Sequence, residues 1–583
     1  MKIIGLHIWH DASASLIDNW KLVYAISEER ISRVKNHTWI PYLAIEKILA
    51  DQKLNKDDID IISIWSNFKL IWAEAVINIY KTRDLNNLWN FSNKMKINHR
   101  LQFIIAILKE KILGIKFSAE NEIQNIFKNK WFNNAKVEFY GHHLSHAASA
   151  YYASWFKDSI ILTQDWWWDK LFAGAYLWKD NILSTYRENK YTANSTLSLA
   201  NIYATITHLL WFKRNKHEWK ITWLAAYWKK YINWFNDLIE LDWINFSDKQ
   251  NFKWSFFSDL FHFLNWEFFK KKSYFFIKDM IKNESKEDIA FSVQKLCENT
   301  MVDYVNNLYK EKKFKNICLA WWLFANVRIN QKIEELDFVE NLFVYPNMWD
   351  GWLAVGSAYL SCVHNNIELQ DNNSMYLWNE EDSSNLESIL WKFSDKVVWE
   401  KKENFEKEIA QLIADKVIVW YFSWKMEFWP RALCHRSMLI DTREREVNDI
   451  VNKRLKRTEF MPFAPVILEE KLEDYFENIW NKKLAMNYMT ITADVKKEMV
   501  EKIPAVVHVD NTARPQTINQ DNNPIVYNIL NEYNKITWIP LFVNTSFNIH
   551  EEPIVSSYED AIKSLLDSCV DVLCFEDLFV KVK

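Results

Sequence analysis

The stretch "GHHLSHAASA" sets His142 and His146 four residues apart. On a helix that spacing puts both imidazoles on one face, as a pair of metal ligands requires. Asp350, in "MWDGWLAVGSA", offers a carboxylate from a second loop. Two imidazoles and one carboxylate with open positions suit Fe(II), Mn or Zn. Two ordinary histidines at a helix start are the plainer alternative.

A second chemistry lies in the C-terminal half. Three dense polar stretches occur there: "SWKMEFWPRALCHRSMLIDTRE", "VNKRLKRTEFMPFAPVILEE", and "NTARPQTINQDNNPIVYNIL" continuing to "IPLFVNTSFNIHEEPIV". They hold Arg431, Arg436, Lys456, Arg457 and Arg514 beside Asn544, Ser546 and Asn548. Arginine and lysine gathered by a fold are what phosphate groups need. These cations stand beside Pro, Ala and Phe runs, which disfavours a simple solvated charged face.

Strands alternating with helices must position these groups. "MKIIGLHIWHDASASLI" and "KLVYAISEERISR" read as strands joined by a turn at Asp18-Asn19, with Trp9-His10-Asp11 in a loop. "YLAIEKILADQKL" has helical spacing, and residues from about 70 to 135 read as mostly helical. "KVEFYGHHLSHAASAYYAS" is a strand entering a helix, "DSIILTQD" a strand, and "NICLAWWLFANVRINQKI" a strand, loop and helix. From about 190 to 310 the chain is aromatic-rich and reads as helical. The pattern is α/β. A polar stretch over 366–385 is the best linker, dividing residues 1–365 from a second α/β unit over 386–583. No internal repeat is legible.

The chain has 583 residues, and its net charge of −4 without a basic tract gives no sign of a nucleic-acid surface. No run of 18 or more apolar residues and no signal-peptide pattern occur, and the six cysteines form no CxxC pair. A soluble cytoplasmic protein is expected. Glycine is the anomaly: there are 6, where roughly 40 would be usual, against 32 tryptophans. Some bacterial lineages read UGA as glycine, and translating UGA as tryptophan would produce this pattern. With glycine restored, "HIWHDASA", "TQDWWWDK", "LAWWLFANVRIN" and "MWDGWLAVGSA" become strand ends followed by small residues, through which backbone amides approach an anion or nucleotide.

The motifs "HDASASL", "EERISRVK", "HHLSHAASA", "MEFWPRALCHRS", "KRTEFMPFAP", "HVDNTARPQT" and "NTSFNIHEEPIV" resemble the NodU/CmcH family of O-carbamoyltransferases, in order from residue 8 to the C-terminus. Where that family has glycine, this chain has Trp9, Trp166, Trp321, Trp322, Trp349, Trp352, Trp429 and Trp538. Cys434 and Glu551 also replace usual glycines, which tryptophan recoding does not explain.

The resemblance implies an N-terminal actin/hexokinase-type ATPase fold, similar to the tRNA threonylcarbamoyl-transferase, and a C-terminal YrdC-like domain. It implies that the C-terminal domain forms carbamoyl-adenylate from carbamoyl phosphate and ATP, with Mg, releasing pyrophosphate. The N-terminal domain then passes the carbamoyl group to a hydroxyl of a small molecule or saccharide. By the same resemblance, Arg431, Lys456, Arg457 and Arg514 take the polyanions, and Asn544, Ser546 and Asn548 orient phosphate or ribose. His142, His146 and Asp350 hold a divalent metal, Fe(II) by analogy. His10 is the base, with Asp11 beside it, while Asp165 and Asn326 line the nucleotide site.

The region from about 190 to 310 is expected to shape the acceptor pocket. A tRNA-threonylcarbamoylating enzyme uses the same two folds and is the runner-up, disfavoured by the absence of basic patches. A non-catalytic nucleotide-binding relative follows if literal tryptophans block the loops. Made as written, the chain is expected to fold poorly or be inactive.

Overall fold

The computed structural model describes the chain apart from residues 9, 39, 66–123, 125–126, 129–131, 155, 169–170, 180–181, 191–196, 215, 250–271, 371–373, 379–380, 455–462, 480–482, 549–551 and 568–569. The chain begins with β1 (Lys2–His7), β2 (Ser13–Asp18) and β3 (Lys21–Ser27), an antiparallel meander. On the other side of β1, β4 (Ile61–Trp65) and β5 (Lys136–Tyr140) add in parallel, giving the order β3-β2-β1-β4-β5. Buried along nearly its whole length, β1 shows the continuous apolar run of a strand covered on both faces.

A second sheet repeats this plan. β6 (Ser159–Trp168), β7 (Leu171–Lys179) and β8 (Ile182–Lys190) form the meander, and a small hairpin, β9 (Ile239–Asp242) with β10 (Asn245–Asp248), lies outside it. β11 (Asn316–Ala320) and β12 (Asn341–Val344) then add in parallel, giving β12-β11-β6-β7-β8. Two sheets of one topology make the actin/hexokinase-type ATPase fold. The repeat escapes the sequence because strand pairing recurs while the letters do not.

Between these sheets lie two helices of small residues, His142–Ser154 and Leu353–His364. Two glycines permit this packing, one between the helices and one where β1 meets the second helix. A Cβ on Gly356 would stand 1.9 Å from the Ser145 carbonyl oxygen, and one on Gly5 would stand 1.9 Å from that of Ala354. Close packing here sets the segment around Asp350 against both the histidine helix and the end of β1.

The helical run expected from about 70 to 135 lies almost entirely outside the described residues. Between 190 and 310 the described helices are Leu199–Leu209, Glu218–Leu224, Lys272–Met280 and Lys286–Glu311, interrupted by the β9–β10 hairpin.

The C-terminal unit is a mixed eight-stranded sheet. Its strands are β13 (Val397–Lys401), β14 (Val419–Phe422), β15 (Arg436–Ile440), β16 (Ala464–Leu468), β19 (Gln516–Ile518), β20 (Leu541–Ser546), β21 (Val572–Phe575) and β22 (Leu578–Val582), while β17 (Ala493–Asp494) and β18 (Thr512–Ala513) pair separately. The order is β13-β22-β21-β14-β15-β20-β16-β19.

Polar contacts tie the two halves. Arg30 donates to the Trp429 carbonyl at 2.9 Å, Arg33 to that of Ile554 at 2.8 Å, and Asn330 to that of Thr490 at 2.8 Å. Within 366–385, the Leu377 carbonyl accepts from the Ala25 amide at 2.9 Å, and Tyr376 bridges to Glu427.

Candidate active site

The loop after β1 carries His10 and Asp11. His10 Nδ1 lies 3.1 Å from Asp11 Oδ2, and its Nε2 lies 3.2 Å from Asp350 Oδ2. From the facing helix, His142 Nε2 and His146 Nε2 come within 3.8 and 3.5 Å of Asp350 Oδ1. The ligand atoms of His142, His146 and Asp350 all lie within 4.8 Å of one another, and all three residues are buried. Two buried imidazoles and a carboxylate so gathered fit a divalent cation.

His7, His10 and Asp350 form a second cluster of that spacing. Here, however, His7 is engaged on both nitrogens. Nε2 donates to the His10 carbonyl at 2.5 Å, and Nδ1 accepts from the Trp65 indole. His7 therefore holds the loop that carries His10, and the His142 set is the better candidate for a metal.

Charge follows geometry. Burial alone would raise the Asp350 carboxyl, but His10, His146, His142 and His7 outweigh it and hold it well below the usual carboxylate range. Burial likewise pulls on His10, yet Asp350 and Asp11 prevail and push it up to about 9. His142 and His146 are lowered chiefly by burial, which keeps them neutral, as ligands must be. Burial would raise Asp11, but His10 and the Asn36 amide, 2.6 Å from its Oδ1, keep its carboxyl low.

Beside this cluster lies a cavity of about 320 Å³ lined by both halves of the chain. Asp11, Asn326, Asn347 and Gly351 line it from the N-terminal half, and Arg431, Ser546 and Asn548 from the C-terminal half. Tyr203, Lys216, His217, Glu218, Trp219 and Thr222 bring the aromatic-rich region to the same space. Arg431 is half-buried, and burial takes its guanidinium down to about 10. Arg514 is buried and lowered well below its ordinary value, first by burial and then by Arg431. Neither guanidinium forms a salt bridge among the described residues, so burial of each charge goes uncompensated there.

The remaining residues singled out from sequence fall in several places. Asn544, on β20, donates to the Ala432 carbonyl at 3.0 Å and to Gln516 at 2.7 Å, so it anchors the loop that presents Arg431. Asn326 caps the helix Val327–Glu334 and donates to Gln294 at 2.7 Å while lining the cavity. Asp165 is fully buried on β6 and is absent from the cavity lining. Arg436 is buried against Phe422, donating to backbone carbonyls. Lys456 and Arg457 lie outside the described residues. Cys434 has φ 75°, a glycine-type backbone carrying a side chain.

Trp321 packs against the histidine–aspartate cluster. Its ring centre is 4.1 Å from that of His142 and 4.1 Å from that of His146, which it stacks upon.

Family models described as Carbamoyltransferase N-terminus and Carbamoyltransferase C-terminus match residues 2–359 and 410–582. The chain belongs to the carbamoyltransferase family and is a transferase enzyme. An uncharacterized protein of Methanocaldococcus jannaschii is 31% identical over 100% of both chains. Nodulation protein NolNO of Sinorhizobium fredii is 26% identical over 98% of this chain and 79% of its own. Nodulation protein U of the same species is 30% identical over 46% of each. Among solved structures, the (R)-2-hydroxyglutaryl-CoA dehydratase component A of Acidaminococcus fermentans covers 62% of this chain and 99% of its own, at 12% identity and a TM-score of 0.34, too low to carry an argument. No helix among the described residues is long and apolar enough to cross a membrane.

Proposed function

We propose that this carbamoyltransferase is ATP-dependent and works on a hydroxyl acceptor in two steps. Water first cleaves carbamoyl phosphate to carbamate and inorganic phosphate. A carbamate oxygen then displaces pyrophosphate from the α-phosphorus of Mg-bound ATP, giving carbamoyl-adenylate. In the second step an acceptor hydroxyl attacks the carbamoyl carbon, and AMP leaves.

Arg431 and Arg514 neutralise the anions of the first step, with Lys456 and Arg457 assigned to the same role from sequence. Ser546 and Asn548 orient phosphate or ribose, and Asn544 positions Arg431. Asn326 serves the nucleotide on the N-terminal side, and Asp165, buried away from the cavity, is assigned to it from sequence alone. His142, His146 and Asp350 hold a divalent cation, Fe(II) by analogy, which when bound polarises the carbamoyl carbonyl. His10, oriented by Asp11, takes the hydroxyl proton. Asp350 and Asp11 push His10 up to about 9, so its base form grows as the pH rises toward that value. Tyr203, His217 and Trp219 face the acceptor. Residues 1–365 carry transfer, 386–583 carry activation, and the cytoplasm is the proposed compartment.

The observation that carries this reading is a cavity in which Asp11 and Gly351, beside the histidine–aspartate cluster, face Arg431, Ser546 and Asn548. The test is pyrophosphate release by the protein purified from its own cells. Release that requires carbamoyl phosphate supports the proposal, as does AMP release that requires an added alcohol. Pyrophosphate release indifferent to carbamoyl phosphate would overturn it.

A further inference from the structure

Tryptophan stands on backbone that glycine alone takes without strain. Trp20, Trp211, Trp243, Trp321, Trp424 and Trp538 all have positive φ, while none of the described glycines does. Even asparagine, the side chain best suited to the left-handed region, occurs there less often among the described residues.

Five of these six settings ask for glycine on their own grounds. Asn19 (φ 46°) and Trp20 (φ 72°) form the two-residue turn between β2 and β3, the place of an Asn-Gly hairpin turn. Trp243 (φ 58°) opens the turn between β9 and β10. Trp538 follows the helix Pro524–Thr537 at φ 61°, ψ 21°, with its amide bonded to the Asn534 carbonyl, which is the left-handed glycine cap of a helix end. Trp211 does the same after Leu199–Leu209, at φ 70°. Trp321, at φ 84° and ψ 175°, occupies a region essentially restricted to glycine.

Exposure points the same way. Trp211 is 89% exposed and Trp538 85%, so these rings fill no core, whereas tryptophan is on average highly buried. The backbone does not demand glycine everywhere: Trp349 (φ −106°) and Trp352 (φ −90°) adopt conformations open to any residue.

Trp321 matters most because its ring covers His142 and His146. We infer that residues 20, 211, 243, 321, 424 and 538 are glycine in the working protein, and that the His142–His146–Asp350 site opens to a cation only in that form. The second clause rests on the metal reading of that cluster; the first stands without it. With glycine at 321, the face of the imidazole pair now under the indole becomes free for an ion and a substrate oxygen.

The deciding measurement for the first clause is tandem mass spectrometry of the tryptic peptide Asn316–Arg328 from protein purified from its own cells. Glycine at 321, with UGA in the gene, supports the inference; tryptophan at 321 overturns it. For the second clause, Co(II) uptake by equilibrium dialysis compares the full chain as written with Trp321→Gly. The glycine form should bind at least tenfold more tightly, and His146→Ala in that background should abolish the gain. Equal Co(II) affinity in the two chains would overturn the open-site clause and leave the nucleotide chemistry untouched. The peptide mass decides the first clause even where a variant fails to fold.

Discussion

Arg431→Met tests the idea that the C-terminal cavity is built for anions at the expense of stability. Burial takes the Arg431 guanidinium down to about 10. That is between two and three powers of ten below an ordinary guanidinium, or about 3 kcal/mol, and on the order of 2 kcal/mol once its partial solvent access is allowed for. The sign is destabilising: below pH 10 the unfolded chain binds this proton more tightly than the folded one, so the charge works against folding throughout the neutral range. Methionine keeps the apolar stem and removes the charge. The free variant should therefore unfold a few degrees higher than the parent. Pyrophosphate should reverse the ranking. At about 100 times its Kd a ligand adds about 2.7 kcal/mol to the form that binds it, and the variant should gain little of this. Calorimetric midpoints with and without pyrophosphate give the answer. A variant less stable than the parent without anion, or equal stabilisation of both by pyrophosphate, would refute the reasoning.

Asp350→Asn should lose the divalent cation and carbamoyl transfer while retaining carbamoyl-phosphate-dependent pyrophosphate release, checked by metal analysis alongside both assays. Gly356→Val should separate the two buried helices, because a Cβ there stands 1.9 Å from a backbone oxygen. We expect a loss of roughly 1–3 kcal/mol of stability, read as a lower unfolding midpoint, together with reduced metal content. His435, buried and lowered to about 3, stays neutral, accepting from Asn523 at 2.9 Å while its Nδ1 donates to the Lys425 carbonyl at 2.6 Å. The unfolded imidazole takes up a proton below about pH 6.5, so this contribution is intact above that value and is lost as pH falls toward 3, by up to about 1.4 kcal/mol per pH unit. His435→Gln should flatten the fall of the unfolding midpoint between pH 6 and 4.

What the sequence made legible was local. His142 and His146 share a helix turn, so their spacing alone announced a pair, and Asp350 stood out as a carboxylate in a glycine-type loop. Arg431 and Arg514 were legible as cations among apolar neighbours. What escaped was set by juxtaposition. His7 grips the His10 carbonyl only because the chain turns back at the end of β1. Asn36 reaches Asp11 from 25 residues away. Asn544 reads as a phosphate ligand by type, yet its amide is spent on Ala432 and Gln516, and this became visible only once β20 lay beside the Arg431 loop. The duplicated sheet topology was hidden for a like reason, since strand order leaves no mark on composition.

The most direct test of the account is exchange of labelled pyrophosphate into ATP by the protein from its own cells. Exchange that appears only with carbamoyl phosphate, and that is lost in Arg431→Met but kept in Asp350→Asn, is the predicted result. Exchange without carbamoyl phosphate, or loss of exchange in both variants alike, would contradict the assignment of activation to the C-terminal half and transfer to the histidine–aspartate cluster.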